Sequence, residues 1–548
     1  MLYFPTLFLS LFITVTLIPI LRTMAMKAHV VDIPNERKVH SKPMPKVGGI
    51  AFALGALIPV LFLRNFMPLD KFIWAVMIGA SIIVIFGFLD DIKNLGYRIK
   101  FFGQVTASLV VMFYGEVSVN SLGSLLPEGM MLPPVVAIPL TLVTIVGVTN
   151  AINLADGLDG LAGGISLLSF ACLGYLAYRV DCSSIAFLSV AMVGGLFGFL
   201  RFNTFPASIF MGDAGSQLIG FLAVVLSLKL TQGNTPLSPM LPLLLLGFPV
   251  LDTLTVMVER KINGRSMFVA DKNHFHHKLM KIGLYHTEAV FIIYVIQAVL
   301  VTFAFLFRYY SEWYLLSFYL FLSCSVFIGV LLSNRIGFQF ERPGRIDRFF
   351  KQRLHVFKKE GGAIKISYRA LQAVLPVIAI SGIFFIGNIP SYISPIAVLL
   401  VLLIFLSVRF INSWTAGILR FSLYLTVPYI VFLSETNTVQ FMETHLMRLY
   451  NISFVILALF VAITIKLTRR SKGFKPTPMD FIILFSALVI PNLPDPGIKD
   501  LNMGMIAIKI IVLFFSFEVW LCEQRGKLFK PAVTISAILV ILAIRGVL

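Results

Sequence analysis

Residues 72–91 read FIWAVMIGASIIVIFGFLDD, an apolar run that ends on two adjacent aspartates. A helix needs about 20 mostly apolar residues to cross the hydrocarbon core of a bilayer. Comparable apolar runs recur at residues 2–21, 240–258 and 313–332. This pattern predicts an all-α fold, a polytopic bundle of transmembrane helices.

The composition of the 548-residue chain points the same way, since 58% of its residues are hydrophobic and only 13% are charged. These values exclude an ordinary soluble globular protein. The formal charge of +19 comes from Lys and Arg residues that lie mainly in short loops between apolar runs. Because cytoplasmic loops of membrane proteins are enriched in these residues, the charge indicates topology and not a nucleic-acid partner. The four cysteines lack CxxC spacing and suggest neither a disulfide framework nor a zinc knuckle.

A strongly basic stretch at residues 334–369 interrupts the hydrophobic pattern. About eleven candidate spans precede it and about seven follow it. We therefore expect a membrane-embedded domain at 1–333, a basic cytoplasmic linker at 334–369 and a C-terminal transmembrane domain at 370–548. If the N-terminus is outside, the loops at 90–100, 200–215 and 259–286 all lie on the cytoplasmic side. The second membrane domain carries no polar motif that indicates its role.

Asp90 and Asp91 close the first quoted run. Carboxylates at the end of a membrane segment are costly unless a cation or a cavity satisfies them. Mg²⁺ prefers a few carboxylate oxygens together with substrate phosphates, so the pair is a candidate for a metal site that a diphosphate completes. The pair could equally mark the point where a helix meets water.

A second polar cluster lies in NAINLADGLDGLAGG, residues 150–164. Spacings of three residues place its polar members on one helical face, and the glycines that follow permit close approach of the backbone to a ligand. The members are Asn150, Asn153, Asp156 and Asp159. A polar turn with Asn and Asp capping is the alternative interpretation.

Two further motifs lie in loops on the predicted cytoplasmic side. Asp213, in FMGDAGS, could complete a metal site or could cap the helix that follows it. His274, His276 and His277 follow a run of basic residues. Since cysteine partners are missing, this basic context favours phosphate or sugar contacts over structural zinc.

Five ordered motifs resemble those of the polyprenyl-phosphate N-acetylhexosamine-1-phosphate transferases, glycosyltransferase family 4. They are RKVHSKPMPKVGG (37–49), FLDDIKNL (88–95), NAINLADGLDGLAGG, FMGDAGS and NHFHHKL (273–279). Together they cover roughly the first 330 residues. The interrupted His-Phe-His-His resembles the branch that uses UDP-GlcNAc, whereas the phospho-MurNAc-pentapeptide branch carries an uninterrupted histidine triplet.

The resemblance implies an activity and a location. It implies transfer of N-acetylglucosamine 1-phosphate, or a related N-acetylhexosamine 1-phosphate, from a UDP-sugar to undecaprenyl phosphate. Mg²⁺ would be the cofactor, with Mn²⁺ as a substitute, and UMP would be released. The active site would face the cytoplasm from the inner membrane, and the reaction would initiate a cell-envelope polysaccharide such as lipopolysaccharide. The family also suggests a homodimer.

The resemblance assigns roles residue by residue. Catalytic roles fall to four aspartates, Asp90, Asp91, Asp156 and Asp159, and metal binding falls to Asp213 with Asp90 and Asp91. The nucleotide-sugar would be bound by Asn150, Asn153, Asp156, Arg265, His274, His276 and His277. Phosphate groups would be bound by Lys42, Lys93 and Lys100.

Two other classes of protein fit parts of the pattern. A secondary transporter of anionic substrates also uses intramembrane aspartates and broken helices, although its site would lie near the bilayer midplane. A CDP-alcohol phosphotransferase requires Ala-Arg after its Asp-Gly, and this chain has Leu161-Ala162 at that place. For the transferase itself, direct attack of the lipid phosphate is favoured over a covalent aspartyl-phosphate route.

Overall fold

The structure, a computed structural model, describes residues 3–32, 43–65, 69–93, 95–127, 129–233, 235–262, 264, 274–335, 362–410, 414–436, 444–467, 503–524 and 528–547. These residues form two compact units, the first within 3–335 and the second within 362–547. In the described residues, twelve helices are long and apolar enough to cross a membrane. The predicted all-α polytopic fold is therefore confirmed.

The elements of the first unit are, in chain order, α1 (Tyr3–Lys27), β1 (Val31–Asp32), β2 (Met44–Pro45), α2 (Gly48–Phe62), α3 (Lys71–Lys93), α4 (Tyr97–Leu109), α5 (Pro134–Ala155), α6 (Leu161–Arg179), α7 (Ser183–Asn203), α8 (Gly212–Thr231), α9 (Leu241–Leu245), α10 (Gly247–Ile262), α11 (Phe275–Lys281), α12 (His286–Leu306) and α13 (Glu312–Arg335). A π-helical turn, Val110–Tyr114, extends α4. Short 3₁₀ turns lie at Leu63–Asn65 and Gly123–Leu125. The two strands pair antiparallel, with Val31 opposite Pro45.

Helix α8 is the central element of this unit. It is 94% buried over its apolar window and packs against α2, α3, α5 and α6. A helix that is apolar on all sides belongs in such an interior position. The N-terminus of α8 meets the C-terminal end of α3, where the backbone N–H of Asp213 donates to Asp91. The polar residues at both helix ends are thereby brought to one place.

The predicted span at residues 240–258 is wrong, because the chain breaks at Leu246 into α9 and α10. Gln297 of α12 compensates for the break: its Oε1 accepts the Phe248 N–H at 3.2 Å and its Nε2 donates to the Leu245 carbonyl at 2.7 Å. The hydroxyl of Tyr319 donates to the Gly247 carbonyl. Side chains thus satisfy the backbone groups that an interrupted membrane helix exposes.

The number of long helices also differs from the prediction. In the described part of the first unit, eight helices meet the length and composition of a span, where the apolar runs suggested about eleven. The difference arises because α2, α4 and α10 are only 15, 13 and 16 residues long. Apolar runs in sequence do not reveal where a helix ends inside the membrane.

The second unit contains α14 (Gly362–Phe385), α15 (Ile393–Phe410), α16 (Thr415–Thr436), α17 (Thr444–Leu467), α18 (Met503–Glu523) and α19 (Phe529–Arg545). Four of these, α14 to α17, meet the criterion for a span among the described residues, against about seven expected. Helices α13 and α14 both extend into the predicted linker at 334–369, since Lys and Arg are good helix formers and do not end a helix. The rest of the linker lies outside the described residues.

The core of the second unit is apolar, but two ion pairs join α16 and α18. Lys509 pairs with Glu435, and both side chains are buried. Arg420 Nε donates to both carboxylate oxygens of Glu518 at 2.9 and 3.1 Å. The two pairs lie toward opposite ends of an antiparallel helix pair.

Candidate active site

The ends of four helices meet in the first unit. Asp90 and Asp91 end α3, Lys100 lies in the first turn of α4, Asn153 lies in the last turn of α5, and Asp213 lies in the first turn of α8. These five residues are linked to one another by hydrogen bonds or ion pairs. Residues far apart in sequence therefore form one polar site.

Lys100 is the cation at the centre of this site. Its Nζ lies 2.5 Å from Asp90 Oδ2 and 2.7 Å from Asp213 Oδ2. Burial lowers the pKa of Lys100, but the carboxylates of Asp213 and Asp90 outweigh burial and hold this pKa above its ordinary value. The lysine is therefore charged, and two carboxylates share it. We refer to Asp90, Lys100 and Asp213 as the charge clamp.

Asn153 and Asp91 fix Asp213 in place. Asn153 Nδ2 donates to Asp213 Oδ1 at 2.9 Å and to Ser216 Oγ at 2.8 Å. Asp91 accepts the N–H of Asp213 on Oδ1 at 3.0 Å and the N–H of Ala214 on Oδ2 at 3.1 Å. A carboxylate in this position caps the positive end of the helix dipole. Both oxygens of Asp91 are thus engaged in holding the start of α8.

Gly212 allows this cap to form. Its φ is +74°, a conformation that other L-residues rarely adopt, and a Cβ there would lie 2.5 Å from Asp91 Oδ2. The sequence Gly212-Asp213 therefore combines a tight turn with a carboxylate aimed into the site.

The charge clamp has the donor chemistry of a magnesium site. Asp90 Oδ1 is buried and has no hydrogen-bond partner among the described residues, while Asp90 Oδ2 and Asp213 Oδ2 face the same cation. Mg²⁺ commonly takes only one or two protein carboxylates and completes its shell with water and substrate phosphates. In the part of the chain that the structure describes, no group of three or more His, Cys, Asp or Glu residues is arranged around a metal position. The residues fit a metal held by Asp90 and Asp213. Both oxygens of Asp91 accept a backbone hydrogen bond, and its predicted role as a metal ligand stays a prediction.

Asp156 lies just beyond α5 and is partly buried. Burial raises the pKa of Asp156 to about 7, and the charges of Asp213, Asp159 and Asp91 add to this effect. Asp156 therefore lies close enough to the charge clamp to sense its charge.

Asp159 is bound to the loop that leads into α8. Its Oδ2 accepts the N–H of Ala207 at 3.0 Å, and its own N–H donates to His286 Nε2 at 3.0 Å. Phe205 of the same loop stacks on the His286 ring at 4.5 Å between centroids. These contacts give Asp159 a role in bracing the loop at residues 204–211.

The histidine segment, residues 274–277, lies next to the Asp156-Gly157 turn. His276 Nε2 is buried without a partner among the described residues, and a Cβ on Gly157 would lie 2.4 Å from it. Burial and the neighbouring His277 lower the pKa of His276 to about 3, so its ring is neutral. The structure therefore brings the NAINLADGLDGLAGG and NHFHHKL motifs together.

Asp252 of α10, which sequence reasoning missed, orients the same segment. Its Oδ2 lies 2.9 Å from His274 Nδ1, and its Oδ1 accepts the Phe275 N–H at 2.7 Å. Asp252 and His274 are 3% and 6% exposed. The available signal was a carboxylate inside the predicted 240–258 span, because a charged residue within a membrane segment requires a partner.

Four of the other predicted residues are placed differently or are not described. Asn150 points to Gln104, with which it exchanges hydrogen bonds. Lys93 is exposed at the end of α3. Lys42 and Arg265 lie outside the described residues. Sequence reasoning missed Gln104 and Gln217, although each follows a site residue by four positions on its helix.

Known proteins are similar to this chain in sequence. The glycosyl transferase family 4 model matches residues 73–231. A probable undecaprenyl-phosphate N-acetylglucosaminyl 1-phosphate transferase of Bacillus subtilis (strain 168) is 37% identical over 292 residues, 52% of this chain and 80% of that protein. The undecaprenyl-phosphate alpha-N-acetylglucosaminyl 1-phosphate transferase of Escherichia coli (strain K12) is 31% identical over 60% of this chain and 89% of its own length. The decaprenyl-phosphate N-acetylglucosaminephosphotransferase of Mycobacterium tuberculosis (strain ATCC 25618 / H37Rv) is 34% identical over 50% of this chain and 74% of its own.

Proposed function

Because the chain belongs to glycosyl transferase family 4, the polyprenyl-phosphate N-acetylhexosamine-1-phosphate transferases, we propose that it transfers N-acetylglucosamine 1-phosphate from UDP-N-acetylglucosamine to undecaprenyl phosphate. The single observation that carries the proposal is the charge clamp, in which Asp90 and Asp213 share the Lys100 ammonium at the ends of membrane helices. Such a site can hold a diphosphate beside an acceptor that lies in the bilayer.

The main physical obstacle is charge repulsion, since donor and acceptor are both anionic phosphates. Asp90 and Asp213 would hold Mg²⁺, or Mn²⁺ in its place, whose charge would offset that of the donor diphosphate. Lys100 bears a positive charge in the same place and can turn from the carboxylates to the arriving phosphate. Pre-arranged charges of this kind stabilise a transition state without reorganisation.

In the reaction, an oxygen of undecaprenyl phosphate attacks the phosphorus that bears the sugar. The bond from that phosphorus to the bridging oxygen breaks, and UMP leaves with the bridging oxygen. The products are undecaprenyl-diphospho-N-acetylglucosamine and UMP. Asp90 orients the attacking phosphate, or accepts its proton where one is present, because its buried Oδ1 is available to a ligand. Direct attack needs only this in-line placement of the two substrates.

The nucleotide half of the donor would lie between the loop at 204–211 and the histidine segment. Asn153 contacts Asp213 of the charge clamp, and the neutral His276 lies against Gly157, the residue that follows Asp156. Asp159 contributes by bracing the loop. Arg265 remains a candidate for contact with the sugar or the diphosphate.

The cellular setting follows from the same proposal. The protein would lie in the cytoplasmic membrane as a homodimer with its site facing the cytoplasm, where UDP-sugars are made, and its product would initiate a cell-envelope polysaccharide. The alternative of a secondary transporter gains no support from the family to which the chain belongs.

The decisive experiment uses purified full-length protein with undecaprenyl phosphate and a panel of UDP-sugars. UDP-N-acetylglucosamine with Mg²⁺ should give equal amounts of UMP and lipid-linked sugar, and EDTA should abolish both. Lipid product from a different UDP-sugar alone would correct the sugar. Movement of UDP-sugar across proteoliposome membranes without UMP formation would favour the transporter instead.

A further inference from the structure

A layer of buried amides lies one helical turn below the charge clamp. The amide cluster consists of Gln104 on α4, Asn150 on α5 and Gln217 on α8. Each lies three or four residues from a site residue of the same helix, respectively Lys100, Asn153 and Asp213. Residues at this spacing lie one above the other on one helical face.

Gln104 is the centre of the amide cluster. Its Nε2 donates to Gln217 Oε1 at 3.0 Å and to Asn150 Oδ1 at 3.3 Å. Its Oε1 accepts from Asn150 Nδ2 at 2.7 Å, and Asn150 Nδ2 also donates to the Val146 carbonyl at 2.8 Å. Gln104 therefore uses both protons and its carbonyl oxygen, and it is only 3% exposed, as is Gln217.

This bonding pattern restrains how three helices can move relative to one another. Apolar contacts have no preferred direction, so helices packed by them alone can slide or rotate by a fraction of a turn. Hydrogen bonds between amides require short distances and near-linear geometry. A reciprocal pair between α4 and α5, extended by one bond to α8, fixes all three helices in register, because any slippage leaves a buried amide unpaired.

We propose that the amide cluster is a set of positioning residues that holds Lys100, Asn153 and Asp213 at the separations required for phosphoryl transfer. The proposal rests on the proposed function for the reaction it serves. Asn150, predicted from sequence to bind the nucleotide-sugar, acts in this role through its neighbours and not by contact with substrate.

The first test compares two glutamines. Gln104→Leu removes the centre of the amide cluster at similar volume, and we expect kcat per folded protein to fall about 10-fold to 100-fold while KM changes less than about threefold. Gln232→Leu is the matched control. Gln232 lies at the opposite end of α8 and also makes three hydrogen bonds, to the N–H of Asn120 and the N–H and carbonyl of Ser121. Its loss should lower thermal stability and leave kcat unchanged.

A second test exchanges the glutamine at position 104 and the asparagine at position 150. Gln104→Asn and Asn150→Gln each alter the reach of one amide, whereas the double variant restores the combined length of the pair. We expect each single variant to lose kcat and the double variant to regain at least about tenfold over the weaker single variant. A merely structural role predicts no such recovery in kcat per folded protein.

Several outcomes would overturn the proposal: wild-type kcat in folded Gln104→Leu, equal losses of kcat in Gln104→Leu and Gln232→Leu, or a double exchange no better than its single variants. If the wild-type protein releases no UMP, the proposed function fails, and the positioning role of the amide cluster must be tested by comparing structures. Cryo-electron microscopy of wild type and Gln104→Leu then decides. Opening of the contact between Lys100 Nζ and Asp213 Oδ2, 2.7 Å here, supports the positioning role, and an unchanged contact contradicts it.

Discussion

The two units of this chain bury charge in different ways. In the first, carboxylates, a lysine and amides from four helices converge on one position, and a buried oxygen of Asp90 is left without a partner among the described residues. In the second, Glu435 and Lys509 pair with each other, as do Arg420 and Glu518. Lys509 is enclosed further by the Tyr450 ring, whose centroid lies 4.5 Å from its Nζ.

Charge inside a membrane protein therefore does not by itself indicate a site. Pairs that satisfy each other can serve to join helices, as the two ion pairs join α16 and α18. Convergence from several helices, with ligand capacity left over, indicates chemistry.

Removing the charge of Asp213 should have the largest effect. Asp213→Asn leaves Lys100 with one carboxylate and weakens the metal position, so kcat for UMP release should fall about 10³-fold. The matched change in the second unit, Glu518→Gln, should leave the rate per folded protein within about threefold of wild type, since its charge serves only a helix pair. Comparable losses in both variants would remove the distinction between the two units.

Breaking the Lys509–Glu435 pair should affect stability and not catalysis. Lys509→Met leaves a buried carboxylate without its partner, which should cost about 3 kcal/mol of unfolding free energy. The double variant Lys509→Met/Glu435→Leu should recover most of this loss, because replacing both charges by apolar groups is often neutral. Thermal unfolding followed alongside UMP release measures both effects. A single variant as stable as wild type, or one that loses kcat, would contradict the prediction.

Asp252→Asn should weaken use of the nucleotide-sugar. The substitution keeps the size of the side chain but removes the charge that orients His274, so kcat/KM for UDP-N-acetylglucosamine should fall about 10-fold. Glu259→Gln is the control, since Glu259 joins the same two helices through Lys278 at 2.5 Å. We expect it to change kcat/KM less than about twofold. Equal losses in the two variants would mean that the helix contact matters and the orientation of His274 does not.

The smallest effect concerns pH. The pKa of Asp156 is raised from its ordinary value of 3.8 to about 7, so the folded protein keeps a proton that the unfolded chain releases. Stability should therefore fall as pH rises between about 4 and 7. Asp156→Asn lacks this dependence and should be more stable than wild type at pH 8. Unfolding curves measured without substrate or divalent cations test this, and parallel pH profiles for the two proteins would contradict it.

The sequence was sufficient for the fold class and for the residues that the charge clamp brings together. Long apolar runs required membrane helices, and polar residues at their ends required partners, so Asp90 and Asp213 were candidates. Lys100 was a candidate through the resemblance to the family. What the sequence could not supply were the partners themselves. Asp91 caps a helix whose first residues lie 122 positions later, and Gln104 pairs with Gln217 across 113 positions.

The positions at which helices end were equally difficult to predict from the sequence. An apolar run continues through Leu246 because the side chains stay in the membrane interior on both sides of the break. The chain can break there only because Gln297 satisfies the exposed backbone groups. Periodicity shows which face of a helix is buried, but a break supported by a distant side chain leaves no local signal.

That dependence on Gln297 also bears on biosynthesis. Until the ribosome has made some fifty further residues, the carbonyl of Leu245 and the amide of Phe248 have no Gln297 to bond with, since these contacts span 52 and 49 positions. Unpaired peptide groups are costly in lipid. We therefore expect the segment made first to reach its final depth in the bilayer only after α12 has followed it there.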